Sequence, residues 1–354
     1  MTGPRTGAEA ALRALIAERG SASVAELMAL AAAEYYGGRD PFGAAGDFVT
    51  APEVSQMFGE LAGGWLAQAW LDQGAPGRIV LAELGPGRGT LMADALRLLR
   101  AVPGFLDAAE LWLVETSPAL RAAQAARLAA FSPRWAARVE DLPPGPLFLV
   151  ANEFFDALPI RQHRRLDALW QERRVTAEGE RLAFAWTAPR AEPALDAAFP
   201  FAADGAVVEV NPAAEAIAAR LGARIAAEGG AALVFDYGDL DGTGDTLQAL
   251  RAHAPADPLD RPGTADLTAH VRFRPLVEAA RPAGAFGPRP QGDVLRALGI
   301  EARAERLARG APDQAERIAR DVHRLTDPSE MGRLFKALAL LPPGGGAPAG
   351  FETP

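Results

Sequence analysis

Up to about residue 75 the apolar positions recur every three to four residues, the period of helices buried along one face. Ser23 with Glu26 has the capping-box pattern ahead of Leu27, Leu30 and Tyr35. Gly37 to Asp47 is glycine-rich and reads as a loop. Thr50-Ala51-Pro52-Glu53 repeats the capping pattern and is expected to open one long helix through Phe58, Leu61, Trp65 and Leu66 to Gly74. From residue 79 short apolar runs alternate with helical stretches, which predicts strands and helices in alternation and a parallel sheet.

The strands are expected at 79–84, 111–115, near 137–139, at 147–150 and at 232–235, with a helix over about 90–101. Ser117-Pro118 and Asn211-Pro212 each read as a cap followed by proline at the first helical position. Residues 161–205 carry short β-like runs such as Ala183-Phe184-Ala185-Trp186, read as a small β-rich insertion. The stretch 238–265 is rich in Gly, Asp and Pro, longer than an ordinary connection, and expected to be functional or mobile. Two helical segments follow. The apolar run Leu334 to Leu341 is then expected to close the sheet as an edge strand, ahead of a flexible Pro/Gly-rich tail, 342–354. The expected architecture is α/β: a doubly wound, Rossmann-like sheet over 76–341, preceded by a helical region, 1–75.

Composition narrows the chemistry. The 354 residues carry a net charge of −9, which argues against a general nucleic-acid or anionic-membrane binder. The absence of cysteine excludes disulfides, thiolate catalysis and Cys-based zinc sites. The four histidines have no metal-ligand spacing, so no metal is expected. Met1 to Gly20 has no uninterrupted apolar core, and no run reaches the roughly 20 apolar residues of a membrane span. The Ala- and Arg-rich start has something of a transit peptide's composition, but a cytoplasmic protein is the expectation.

The chemistry concentrates where the strands end. Glu83-Leu84-Gly85-Pro86-Gly87-Arg88-Gly89 follows the apolar run 79–82 and precedes a helix, the arrangement that lets a ligand approach bare backbone. A carboxylate beside that turn repels a pyrophosphate and favours a cation, so Glu83 points to the ammonium and sulfonium of S-adenosylmethionine rather than to NAD. Glu115, ending the second strand, is placed to accept ribose hydroxyls. Glu140 and Asp141 are candidates for the adenine amine, or else solvated turn residues. After the fourth strand, Asn152, Glu153, Phe154, Phe155 and Asp156 form a pocket able to hold a cation by charge and ring stacking. Asp236-Tyr237-Gly238 ends another strand on the ligand side, or is a simple turn; His270, taken alone, reads as structural.

Together these segments resemble the MidA family of class I S-adenosylmethionine-dependent methyltransferases, whose mitochondrial members are complex I assembly factors that methylate an arginine. The resemblance lies in GDFVTAPEVSQMFGE (46–60), ELGPGRGTLMADALR (83–97), VETSPALRAAQ (114–124) and ANEFFDALP (151–159). It continues in FDYG (235–238), GDTLQALRAH (244–253), PGTADLTAHVRF (262–273) and MGRLFKALA (331–339). It implies donor binding by Gly85, Gly87, Gly89 and Glu115, with Asp47, Thr50 and Glu53 near the donor or the substrate entrance. Glu83, Asp141, Asn152 and Thr50 complete the expected donor set, and Glu153, Asp156 and Asn152 the catalytic one. Asp47, Glu53, Phe154, Phe155, Asp236, Tyr237 and His270 are the candidates for substrate contact. Arg272 stands where the DLTAHV segment is expected to carry an acid. The implied partner is a protein substrate, a respiratory NADH dehydrogenase subunit, and a homodimer is left open. Two other readings compete: an assembly chaperone that binds the donor only structurally, and a nicotinamide dehydrogenase, which GxGxG in place of GxGxxG disfavours.

Overall fold

The computed structural model describes residues 6–38 and 50–352. Seven strands of the eight-stranded central sheet lie side by side, β1 Ile79–Leu84, β2 Ala109–Val114, β3 Arg134–Ala136, β4 Leu147–Asn152, β5 Gly230–Asp239, β6 Gly284–Pro290 and β7 Phe335–Leu341, and the short strand Val271–Arg272 pairs with the end of β5. Their spatial order is β6-β7-β5-β4-β1-β2-β3. From β3 to β5 neighbouring strands are parallel, whereas β7 is antiparallel to both β5 and β6. The order reverses between β1 and β4, and ligands of open α/β sheets bind at such a switch point, outside the carboxyl ends of the strands.

Alternate residues of each inner strand feed two cores. Leu81, Leu113, Val150 and Leu233 pack under α3 (Gln56–Asp72) and α4 (Thr90–Leu99), whereas Ala82, Val114, Leu149 and Val234 pack under α6 (Pro212–Glu228). This period of two is what a sheet covered on both faces requires. On α3, a Cβ on Gly59 would meet Leu91 O at 2.7 Å and one on Gly63 would meet Ala95 Cα at 2.8 Å, so both glycines serve close helix–helix approach.

The N-terminal helices α1 (Gly7–Arg19) and α2 (Val24–Gly38) belong to a different core. Leu12, Ile16, Leu27 and Met28 pack with Val175 and Leu267 against a five-stranded sheet built from Ala22–Ser23, Arg161–Leu166, Leu169–Glu178, Arg181–Trp186 and Val207–Val210. Ser23 and Glu26 form the expected capping box, with Ser23 N donating to Glu26 at 2.7 Å and Glu26 N to Ser23 Oγ at 3.1 Å. α5 (Pro118–Arg127) and α6 likewise start on Ser117 and Asn211, whose side chains accept from Leu120 N and Ala214 N.

Several expectations are corrected. The helix expected from Thr50 to Gly74 is two, Ala51–Val54 and α3, because Ser55 is extended (φ −155°, ψ 138°) and caps the second from its side chain. Thr50 makes no side-chain cap bond, so the capping box with Glu53 does not form. The third strand lies at 134–136, and 139–141 is a 3₁₀ turn. β7 is not an edge strand; it inserts between β5 and β6, as its buried run 337–340 requires. The edge is β6, whose sequence GAFGPRP carries no strand signal because prolines and glycines are tolerated only at an edge. The stretch 238–265 contains a hairpin, Gln248–Arg251 with Ala254–Ala256, on which Asp266–Thr268 also pairs. The end of the chain, expected to be flexible, lies on α3: Trp65 Nε1 donates to Ala349 O at 3.1 Å and Phe351 is buried.

Candidate active site

The glycine turn leaves β1 at the switch point. Gly85, Gly87 and Gly89 all have positive φ (58°, 51° and 77°), and a Cβ on Gly85 would meet Phe154 Cδ2 at 2.9 Å. An alanine there would be strained in its backbone and would push on the ring that walls the cleft. A cleft of about 720 Å³ lies over the ends of β1, β2 and β3, bordered by Gly85, Gly87, Glu115, Arg138, Glu140 and Phe154. A smaller cavity, about 60 Å³, continues toward β4 and is bordered by Thr50, Glu83, Asn152, Glu153, Asp156 and Asp266. Gly85, Gly87, Glu153 and Tyr36 border both, so the two form one site.

In the cleft, Glu115 ends its strand as expected. Its Oε1 accepts from Thr116 N and Ser117 N, both at 2.7 Å, while Oε2 has only a long contact of 3.4 Å from Gln124 Nε2. The second oxygen can therefore take a diol hydroxyl. Gln124 also donates to Gly87 O at 2.7 Å, tying α5 to the glycine turn. Burial pushes the Glu115 carboxyl up, against these hydrogen bonds. Asp141 is not brought here: it is exposed and paired with Arg138 at 3.1 Å, while Glu140, also exposed, borders the cleft and pairs with Arg220 at 2.7 Å.

In the smaller cavity carboxyl groups crowd together. Glu83 is buried, its Oε2 has no hydrogen-bond partner, and burial pushes its pKa up to about 8. Glu153 has the left-handed backbone (φ 49°) that non-glycine residues rarely adopt, held by its N–H donating to Phe235 O at 2.9 Å. Its Oε1 accepts from Asn152 Nδ2 at 3.0 Å and Ala51 N at 3.4 Å, and burial, then the charge of Asp156, pushes it up to about 8. Asp156 is buried with Oδ1 unpartnered; burial lifts it to about 6, opposed by a hydrogen bond from Tyr237. Asn152 Oδ1 is likewise buried and unpartnered.

The structure separates neighbours that the sequence groups together. Phe154 walls the cleft, whereas Phe155, standing edge-on to it at 5.4 Å, is a core residue and does not reach the site. Asp236 does not face the cavity either. It is fully buried, its Oδ2 accepting from the backbone N–H groups of Phe154 (3.2 Å), Phe155 (2.9 Å) and Asp156 (3.2 Å), and its Oδ1 from Tyr237 N (2.9 Å). Burial, with Asp156 and Glu153 nearby, pushes its carboxyl up. Its place is to frame the 153–156 loop. Glu53 borders the cavity and accepts from Thr90 Oγ1 at 2.6 Å; Tyr237 touches Asp156; His270 lies outside, in a second cavity beyond Tyr237. Asp47 lies outside the described residues.

Two residues given no role in the sequence complete the site. α2 brings Tyr36 over the junction of cleft and cavity, where its hydroxyl donates to Asp266 at 2.9 Å. Nothing local marked either, because they come from elements packed by long-range contacts; only the quoted run PGTADLTAHVRF contained Asp266.

Glu83 offers a pH test. The folded state holds its proton up to about pH 8, the unfolded chain only to 4.5, so this contribution to stability is full below 4.5 and lost as pH rises through 8. Glu83→Gln is expected to retain at about pH 9 a few kcal/mol that the wild type loses, read as a smaller fall of the urea midpoint between about pH 6 and 9. Equal falls in both proteins would contradict the assignment.

Among the described residues no group of three or more His, Asp or Glu is placed to hold a metal ion, and no helix is long and apolar enough to cross a membrane. Residues 61–289 match the family described as S-adenosyl-L-methionine-dependent methyltransferase. The chain is 37% identical, over an alignment of 369 positions that covers 94% of this chain and 84% of the relative, to the mitochondrial protein arginine methyltransferase NDUFAF7 homolog of Drosophila melanogaster. It is 37% identical to the human mitochondrial protein arginine methyltransferase NDUFAF7, over 90% of this chain and 78% of that one. A Burkholderia thailandensis protein solved with bound S-adenosyl-homocysteine superposes with a TM-score of 0.83 at 29% identity, covering 100% of this chain and 96% of that one. The cytoplasmic expectation is corrected by these relatives, which are named as mitochondrial proteins.

Proposed function

The chain belongs to the S-adenosyl-L-methionine-dependent methyltransferases, and from that premise we propose that it methylates a guanidino nitrogen of an arginine in a protein substrate. The observation that carries this reading is the crowding of Glu153, Asp156 and Asp266 at the end of the donor cleft, with Asp156 Oδ1 buried and unpartnered. Crowded carboxyl groups repel one another and are relieved by a cation entering among them, and arginine is the side chain that is always cationic. The names of the relatives support the same acceptor.

The residues present fit the donor. Glu83 Oε2 and Asn152 Oδ1, both orphaned beside the glycine turn, suit an ammonium, and the free oxygen of Glu115 suits a ribose diol. Bound there, S-adenosylmethionine supplies an electrophilic methyl group. The chain's own residues do the rest. Asp156 Oδ1 accepts a guanidinium N–H and offsets its charge; Glu153 stands ready to take the proton that a guanidino nitrogen must give up overall. Phe154 and Tyr36 close the junction against water. Asp236, through the backbone of 154–156, fixes both carboxyls in place.

Three outcomes follow. Gly85→Ala is expected to weaken S-adenosylhomocysteine binding at least about tenfold by calorimetry, since its Cβ would fall 2.9 Å from Phe154; unchanged affinity would remove the turn from the donor site. Next, kcat/KM is expected to rise as pH passes from about 6 to about 8, where Asp156 and Glu153 ionise in the free enzyme. A profile flat or falling over that range would contradict their role. Lastly, the acceptor proposed from the family resemblance is an arginine of a respiratory NADH dehydrogenase subunit. Mass spectrometry of that complex from cells with and without this protein is expected to show one methylarginine that depends on it; an unchanged pattern would move the search to other proteins.

A further inference from the structure

A second cavity, about 350 Å³, opens where β5 ends and β7 begins. Tyr237 links it to the carboxyl cluster: its hydroxyl lies close to Asp156, and its ring stands edge-on to His270, which borders the second cavity, with centroids 5.4 Å apart. Three cations border this cavity, Arg272, Arg333 and Lys336. Arg272 is set there by the pairing of Gly238 and Asp239 with Val271 and Arg272, an approach so close that a Cβ on Gly238 would meet Val271 O at 2.0 Å. Its guanidinium lies over the Phe199 ring at 4.1 Å, with Nε buried and unpartnered. Lys336 Nζ donates to the carbonyls of Gly238 and Arg333, at 2.8 and 2.7 Å, so its charge is fixed in position without being neutralised.

Among the described residues none of the three has a carboxylate within ion-pair distance, although most arginines in this acidic chain do. Two acids border the cavity too, Asp239 lies near Lys336, and Asp241 and Glu215 lie near Arg272, so the three cations are offset only in part. Glu209 is taken up by Gln162 Nε2 at 2.7 Å and by Thr246 N at 2.9 Å, and Asp239 is exposed, accepting from Leu240 N. Counted over the lining, three cations face these two acids, one residue away from a cluster that is negative.

We infer that this cavity docks a carboxylate side chain of the same protein segment whose arginine enters the first site, so that acidic residues near the target arginine are selected. The inference rests on the reading of the chain as a protein arginine methyltransferase. A carboxylate fits better than a phosphate. Arginine and lysine serve both anions, but phosphate sites commonly add a backbone N–H cradle, and here it is the carbonyls of Gly238 and Arg333 that turn toward Lys336. Arg333, exposed and without an ion pair among the described residues, is the guanidinium placed to meet a carboxylate in the two-pronged geometry.

The test uses the full chain with S-adenosylhomocysteine bound. Labelled peptides carry a central arginine and a single glutamate walked over the flanking positions, each compared with its glutamine counterpart by fluorescence anisotropy. At one or two adjacent positions glutamate is expected to tighten binding roughly tenfold. Arg333→Glu is expected to abolish that gain while leaving the glutamine peptides and S-adenosylhomocysteine bound as before. No gain at any position, equal weakening of both peptide sets, or better competition by inorganic phosphate or a single-stranded oligonucleotide than by the glutamate peptides would overturn it. The same peptides are then incubated with S-adenosylmethionine in its place: if the gain appears but no peptide is methylated, docking stands and the methyl-transfer reading fails. If peptides are methylated with no preference for glutamate, the reading stands and the docking site falls.

Discussion

Asp236→Ala is expected to destabilise the protein by roughly 3–5 kcal/mol, the cost typical of breaking a buried charged network. Its carboxyl accepts from four backbone N–H groups, those of Phe154, Phe155, Asp156 and Tyr237. Alanine leaves all four without a partner, at about 1–3 kcal/mol for each buried orphan before relaxation. The variant also loses the repulsion of Asp236 by Asp156 and Glu153, which acts the other way. The burial cost of the carboxyl is relieved as well, but neither relief gives the four buried N–H groups a new partner, so the loss of the frame wins. Asp236→Asn keeps one acceptor oxygen but turns an amide toward N–H donors, and is expected to fall between. Urea unfolding measures both; a midpoint for Asp236→Ala within error of the wild type would show that the loop is framed by something else.

The second large effect is catalytic. Glu153→Gln preserves shape and leaves an oxygen for Asn152 Nδ2, now at 3.0 Å, but removes the ionisable carboxyl that takes the proton. Methyl transfer is expected to fall about 10²–10³-fold in kcat, the range for losing one electrostatic contact made at the reacting centre. Affinity for S-adenosylhomocysteine is expected to stay within about threefold, since Glu83 and Glu115, not Glu153, carry the donor contacts in this account. A variant with full activity would remove Glu153 from the mechanism. One that loses donor affinity as much as activity would place Glu153 in the donor site instead.

What could be read from the sequence follows the range of the interactions concerned. The glycine turn after 79–84 and the carboxylate of Glu115 were legible because strand, turn and helix are contiguous and each residue's position follows from the strand's end. Caps at Ser23, Ser117 and Asn211 were legible for the same local reason. The break at Ser55 was not, because the periodic pattern on either side of it is continuous and one extended residue changes only the phase. Neighbouring residues with the same chemistry were misassigned wherever the backbone turns between them. Glu140 faces the cleft and Asp141 the solvent, and Phe154 faces the ligand side and Phe155 the core. Tyr36 and Asp266 stand 230 positions apart and meet only through packing, so no motif could join them. Asp236 sat at a strand's end as a ligand-facing acid should, and only its four N–H partners reveal that it faces the backbone.

The account's central claim is that a methyl-donor cleft opens onto a carboxyl cluster shaped for a guanidinium. The most direct test is to supply S-adenosylmethionine labelled on its methyl group, together with protein substrate lacking prior methylation, and to identify the labelled amino acid after complete hydrolysis. The account predicts label in N-methylated arginine. Label in lysine, in an ester or in a released small molecule would contradict it.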